Sequence, residues 1–267
     1  MTITKYFKRQ FQLRKFRLEH DVISDFYISS CQRNRSIVPL LILRILIFVG
    51  CLSTVIASIV LTVRIMSFKY WLIYLTHWGI VINTIAAGFG LAVSVRAFIK
   101  GTIEGSLGLP WYVKAYWLSL NIATPIALFI TIFYWSLLTG LEQDFAINLT
   151  LDIFIHAVNS VLMLALLLIA RHPMFLLHFY FSIGIGVIYL IFTLIYYAAG
   201  GTDPFGEHTI YPMIDWEYPG QTIGIVLLSA LGIVILHGLM VGLSAARDAL
   251  GKRCRKETSY GIDDAYY

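Results

Sequence analysis

Six long apolar runs separated by polar stretches organise the sequence, near 38–63, 71–95, 115–139, 149–170, 174–198 and 222–243. Each is long enough to cross about 30 Å of hydrocarbon at about 1.5 Å per residue. Lipid offers backbone groups no partner, so a spanning run must satisfy its own hydrogen bonds as a helix or pair in a closed barrel. Barrel strands would alternate apolar and polar positions, and these runs do not. The pattern predicts an all-α fold, a polytopic membrane bundle of about six transmembrane helices. It divides the chain into a basic N-terminal segment 1–37, a transmembrane domain 38–243 and a tail 244–267. The connection 199–221 is long and rich in Gly, Pro and Trp, which predicts a packed loop capping one end of the bundle.

Charge adds orientation. Of the 20 Lys and Arg, all but Arg64, Lys69 and the intrahelical Arg44 fall in the two tails or in the second–third and fourth–fifth connections. By the positive-inside rule both ends are expected in the cytoplasm. The opposite connections carry Glu142 and Asp144 in one and Asp203, Glu207, Asp215 and Glu217 in the other. The basic stretch KYFKRQFQLRKFRLEH reads either as an interfacial helix on anionic lipid or as a topology signal that happens to be amphipathic.

Composition excludes a soluble globule. The chain is 58% hydrophobic and 13% charged, against about 45–50% and about 25% for soluble domains. Its expected partners are membrane lipids and not nucleic acid, in the plasma membrane or the endoplasmic reticulum. No signal-peptide pattern precedes the first run. Cys31, Cys51 and Cys254 form no CxxC pair. No nucleotide loop, zinc motif or serine elbow is visible, so no cofactor is expected. Asn148-Leu149-Thr150 is a glycosylation sequon expected to lie too near the bilayer for efficient use, and Asn34-Arg35-Ser36 is a second match on the cytoplasmic side.

Ionisable and polar residues inside a membrane are costly, and they mark candidate function. The second helix should run inward with Thr76 roughly 8 Å deep, and the fourth also inward with His156 roughly 10 Å deep. The two therefore share a layer in the outer half of the membrane. Asp152, Asn159 and Ser160 fall at helical spacings on the face of His156, and Asn83 on that of Thr76. One reading is a hydrolytic centre. Thr76 would be the nucleophile, His156 its base, Asp152 the group orienting the imidazole, and Asn159 or Asn83 a donor to the oxyanion. The other reading is interhelical hydrogen-bond glue, with Asp152 favoured by the helix dipole.

A second polar layer, Arg44, His178 and His237, lies toward the cytoplasm. It reads as a proton or ion path, or more simply as packing with Arg44 snorkelling to the interface. Gly238 and Gly242, and Gly184 and Gly186, are small-residue spacings that permit close helix approach.

The segment His172 to Thr222, above all GGTD…IYPMIDWEYPGQT, resembles the rolling stone family. YWLIYLTHWGIVIN around Thr76 and DIFIHAVNSVLML around His156 fit it too. The resemblance implies a multi-pass membrane protein linked to cell fusion in insect muscle formation. The same two blocks are more distantly similar to the androgen-induced family of intramembrane hydrolases. Those enzymes cleave fatty acid esters of hydroxy fatty acids with a threonine and a histidine, which would match Thr76 and His156. His77 after Thr76, and Asn159-Ser160 after His156, depart from that pattern. Two functions are therefore expected to compete: an intramembrane hydrolase of a lipid ester, and a non-enzymatic scaffold or adhesion factor that binds a protein partner through loop 199–221. A transporter has little support, since no internal repeat or broken helix pair is visible.

Overall fold

The computed structural model of the chain describes residues 10–32, 36–103, 108–139 and 148–256. Six helices are long and apolar enough to cross a membrane: α1 Val38–Ile65, α2 Leu75–Lys100, α3 Trp111–Leu138, α4 Leu149–Ile169, α5 Leu176–Ala198 and α6 Pro219–Arg255. Among the described residues there is no strand, only isolated bridges joining Ser29 to Ala170 and Tyr211 to Ile214. The six hydropathic runs thus became six helices. The last runs well past its apolar stretch, through residues 244–255.

α3 is the axis of the bundle. It packs on α2, α4, α5 and α6, while α1 lies against α2. Of its most apolar window 61% is buried, against 17% for α5 and for α6, so the last two helices turn most of their surface outward. α2 and α3 approach closely because α2 has glycine where they touch. A methyl at Gly79 would run into Ile130, and one at Gly90 into the Tyr116 ring. The spacings singled out from sequence behave otherwise. A Cβ at Gly184, Gly186, Gly238 or Gly242 would meet nothing within 4 Å, so these glycines bring no helices together within the chain.

The N-terminal segment is not an interfacial helix over its described part. It forms two 3-10 turns, Leu13–Phe16 and Ile23–Phe26. Phe26, Tyr27 and Ile28 then enter the core beside Trp117 and Phe175. The segment satisfies the end of α4: Ser30 N–H donates to Ile169 O at 2.7 Å and its hydroxyl to Leu168 O at 3.2 Å. Arg255 at the end of α6 donates to Ser30 O. Both described ends of the chain therefore lie on one face of the bundle. Lys5, Lys8, Arg9, Arg33, Arg35, the sequon at Asn34, and the acidic pair Glu142 and Asp144 fall outside the described residues.

Arg44 does not snorkel. It is wholly buried, and its guanidinium donates to Gly90 O (2.8 Å), Ser94 Oγ (2.7 Å), Phe26 O (2.8 Å) and the Tyr116 hydroxyl (2.9 Å). The folded-back N-terminal segment supplies an acceptor inside the bundle, so the charge has no need of the interface.

Candidate functional site

At the opposite face of the bundle from the chain ends, α1, α2, α3, α4 and loop 199–218 enclose a cavity of about 480 Å³. Thr76, His77, Tyr134, Asp152, His156 and Tyr211 all line it. Thr76 and His156, assigned to one layer by helix rise, open into the same space.

α4 begins sharply at this face. Asn148 caps it, its Oδ1 accepting from Thr150 N–H (2.9 Å) and Leu151 N–H (3.2 Å). One turn on, α4 loosens into a π turn over Phe154–Val158 that contains His156. α3 ends in a second π turn, Tyr134–Leu138. Such bulges re-aim side chains and are frequent at functional sites. Here the two meet: the Tyr134 and His156 rings stack at 3.5 Å between centroids, 5° from parallel.

His156 Nδ1 lies 2.8 Å from Asp152 Oδ1, and Asp152 also accepts from the Tyr134 hydroxyl. With Nδ1–H donated to the carboxylate, the neutral ring keeps Nε2 as an acceptor, the form a general base needs. Asp152 is buried (7% exposed), so its carboxylate faces the imidazole and the Tyr134 hydroxyl and is not a solvated acid at a helix end.

Thr76 is the second residue of α2, where unpaired N–H groups and the helix dipole favour negative charge. The helix has no side-chain cap of its own. Tyr211, from the loop, supplies one. Its hydroxyl accepts from Leu75 N–H at 3.1 Å and also bonds the Thr76 side chain. Burial pushes the Tyr211 phenol above its ordinary value, so it remains a hydrogen-bond donor. Tyr189 completes the support, donating to Ile73 O at 2.7 Å.

His77 lines the cavity as well. Its ring stacks on Trp71 at 4.6 Å, its Nδ1 is 2.6 Å from Trp71 O, and Trp71 Nε1–H donates to Ser58 Oγ at 2.8 Å. The residue that departs from the hydrolase pattern is thus a fixed part of the wall, with Nδ1 engaged.

Asn159 and Asn83 are not brought to the cavity. The π turn inserts an extra residue after His156, which rotates Asn159 and Ser160 off its face. Ser160 Oγ lies 2.5 Å from Thr131 Oγ1 on α3, and it donates to Asn159 Oδ1 at 3.1 Å. Asn83 is buried with no hydrogen-bond partner for its amide among the described residues. Tyr134 and Tyr211 were missed from sequence. Helix-rise counting would have put Tyr134 in the layer of His156. Nothing in the pattern of the loop indicates that Tyr211 reaches α2.

The loop itself is well ordered by local bonds. Asp203 Oδ1 accepts from Phe205 N–H and Glu207 N–H at 2.9 and 2.8 Å, with Gly206 at φ 92° closing the turn. Trp216 donates to Thr193 Oγ1 at 3.3 Å. Tyr211 is buried, while Tyr218 is 59% exposed. Among the described residues no three His, Cys, Asp or Glu side chains gather so as to hold a metal ion.

Comparison with known proteins adds a family. The family described as Protein rolling stone matches residues 2–252. Protein rolling stone of Drosophila melanogaster is 30% identical over 251 residues, which is 88% of this chain and 89% of that protein. No solved structure matches the chain.

Proposed function

Since the chain belongs to the rolling stone family of multi-pass membrane proteins, we propose that it is an intramembrane hydrolase of lipid esters serving a membrane or cell–cell process such as myoblast fusion, with both ends in the cytoplasm. The observation that carries this reading is the Asp152–His156 contact, 2.8 Å, in a cavity that Thr76 also lines.

The chemistry divides in two steps. The Thr76 hydroxyl attacks the ester carbonyl and gives its proton to His156 Nε2. The tetrahedral intermediate expels the alcohol, which takes that proton, and leaves an acyl-threonine. Water then attacks the acyl group with the same histidine as base, and the fatty acid leaves as Thr76 is restored. Negative charge on the carbonyl oxygen is met by the N-terminus of α2 and the Tyr211 hydroxyl.

The test is hydrolysis of a panel of fluorogenic and branched fatty-acid esters by purified protein in lipid nanodiscs. Thr76→Ala and His156→Ala are each expected to lower turnover by on the order of 10³-fold or more with the fold intact. Undiminished turnover in either variant sinks the mechanism. Absence of wild-type turnover in folded protein would move the search to loop 199–218 and a protein partner.

A further inference from the structure

A second cavity, about 130 Å³, adjoins the first and shares four of its lining residues: Thr76, Tyr134, Leu138 and Tyr211. Its remaining walls come from α3, α5 and α6, with Phe129, Phe133, Gly186, Val187, Val226 and Ile233 among them. The wall is mostly hydrocarbon, with Ser229 set into it on α6. Of the other polar groups, the Tyr189 hydroxyl donates to Ile73 O, and Thr193 donates to Leu190 O while receiving Trp216.

Position and length identify what hydrocarbon it would meet. α5 and α6 are the least buried spans, and Val187 is 48% exposed on the membrane side. On α5 the lining runs from Ile183 to Thr193, roughly 15 Å along the helix axis. That is about half of the roughly 30 Å hydrocarbon thickness, the reach of a chain from one leaflet. A helix of a second copy would press on the whole span instead. Gly186 gives the groove its width, since a Cβ there would meet nothing within 4 Å.

We propose that this groove is an acyl-chain site, reached sideways from the membrane, which holds one chain of an amphiphile whose polar part stands in the larger cavity. Thr76 sits at the junction of the two, where the chain's carbonyl carbon would lie. The assignment of that carbonyl rests on the hydrolase reading, but binding of the chain does not.

The experiment uses full-length protein in nanodiscs containing phosphatidylcholine with a diazirine on one acyl chain. After irradiation, adducts are mapped by mass spectrometry. Adducts are expected to concentrate on peptides carrying Phe133, Gly186 and Ile233. Gly186→Leu should cut this labelling about fivefold or more by filling the groove. Gly184→Leu is the matched control: its Cβ also meets nothing within 4 Å, but the residue is not part of the groove. It should leave labelling unchanged. If Gly186→Leu lowers the melting temperature, Val226→Trp blocks the groove from the other wall and serves instead. Thr76→Ala should abolish turnover and keep the adducts, so loss of the hydrolase reading and loss of the chain site give different results. Equal labelling in wild type and the blocked variants overturns the proposal. So do adducts spread evenly over the outward faces of α1, α5 and α6, or adducts on those faces with none on the groove peptides.

Discussion

At the residue scale, the proposed hydrolysis rests on Asp152 and His156. A histidine stacked on Tyr134 and lacking a partner at Nδ1 would populate both tautomers. The carboxylate 2.8 Å away selects the one that leaves Nε2 as acceptor. Asp152→Asn keeps size and shape, but its amide can hold the ring with Nδ1 unprotonated and Nε2 carrying the proton. It is expected to lower kcat by on the order of 10²–10⁴-fold with little change in KM, because binding surfaces are untouched. Steady-state ester hydrolysis measures this, and a variant that loses only KM would show that Asp152 merely packs. This pair was legible in the sequence, since i and i+4 on any helix come together. Asn159 was less so: its expected place assumed a regular α-helix, and a π turn that hydropathy cannot register lies between it and His156. Tyr211 was not legible at all, because its contact with α2 depends on how a loop folds over 136 residues of separation.

At the scale of elements, hydropathy located the six helices because lipid leaves each apolar run one backbone solution. It said nothing of what ties their ends together. On the face that carries the chain ends, two buried arginines do so without carboxylate partners from other elements. Arg44 joins α1, α2 and α3 to the N-terminal segment, and Arg247 gathers Leu167 O near the end of α4 (2.6 Å) and His172 O in the connection that follows it (2.9 Å). Burial, then the Arg247 and Arg44 charges, hold His172 well below its ordinary pKa, so a neutral ring sits between the two cations. From sequence Arg44 looked like a snorkelling residue because the acceptors it reaches, Phe26 O above all, come from a segment that hydropathy left outside the bundle. Arg44→Ala removes four charge-assisted donations and leaves a void, and is expected to cost about 3 kcal/mol or more. The loss should be local first: amide exchange at residues 26–30 rises before the helices melt. Unchanged exchange in that segment would show that the aromatic packing of Phe26 alone holds it.

At the scale of the molecule, the two faces of the bundle have opposite characters. One gathers both described chain ends, the buried arginines and the basic connections. The other carries the cavity, its capping loop and the acidic residues Asp203 and Asp215. An intramembrane site built at one face draws its lipid from the leaflet on that side, so orientation in the membrane determines which substrates the protein can meet. The positive-inside rule is the basis for our proposal that the chain ends face the cytoplasm, an orientation that would put the cavity in the outer half of the membrane. The free cysteines provide a reporter that needs no mutation. Cys31 and Cys254 are exposed, Cys51 is buried in the core, and the Arg255–Ser30 contact puts the two exposed thiols on the face of the chain ends. A membrane-impermeant maleimide applied to intact cells bearing the protein at their surface is expected to label none of the three. After permeabilisation it should label Cys31 and Cys254 and still spare Cys51. Labelling before permeabilisation would invert the molecule, put Thr76 and His156 in the cytoplasmic half, and make inner-leaflet lipids the ones to test.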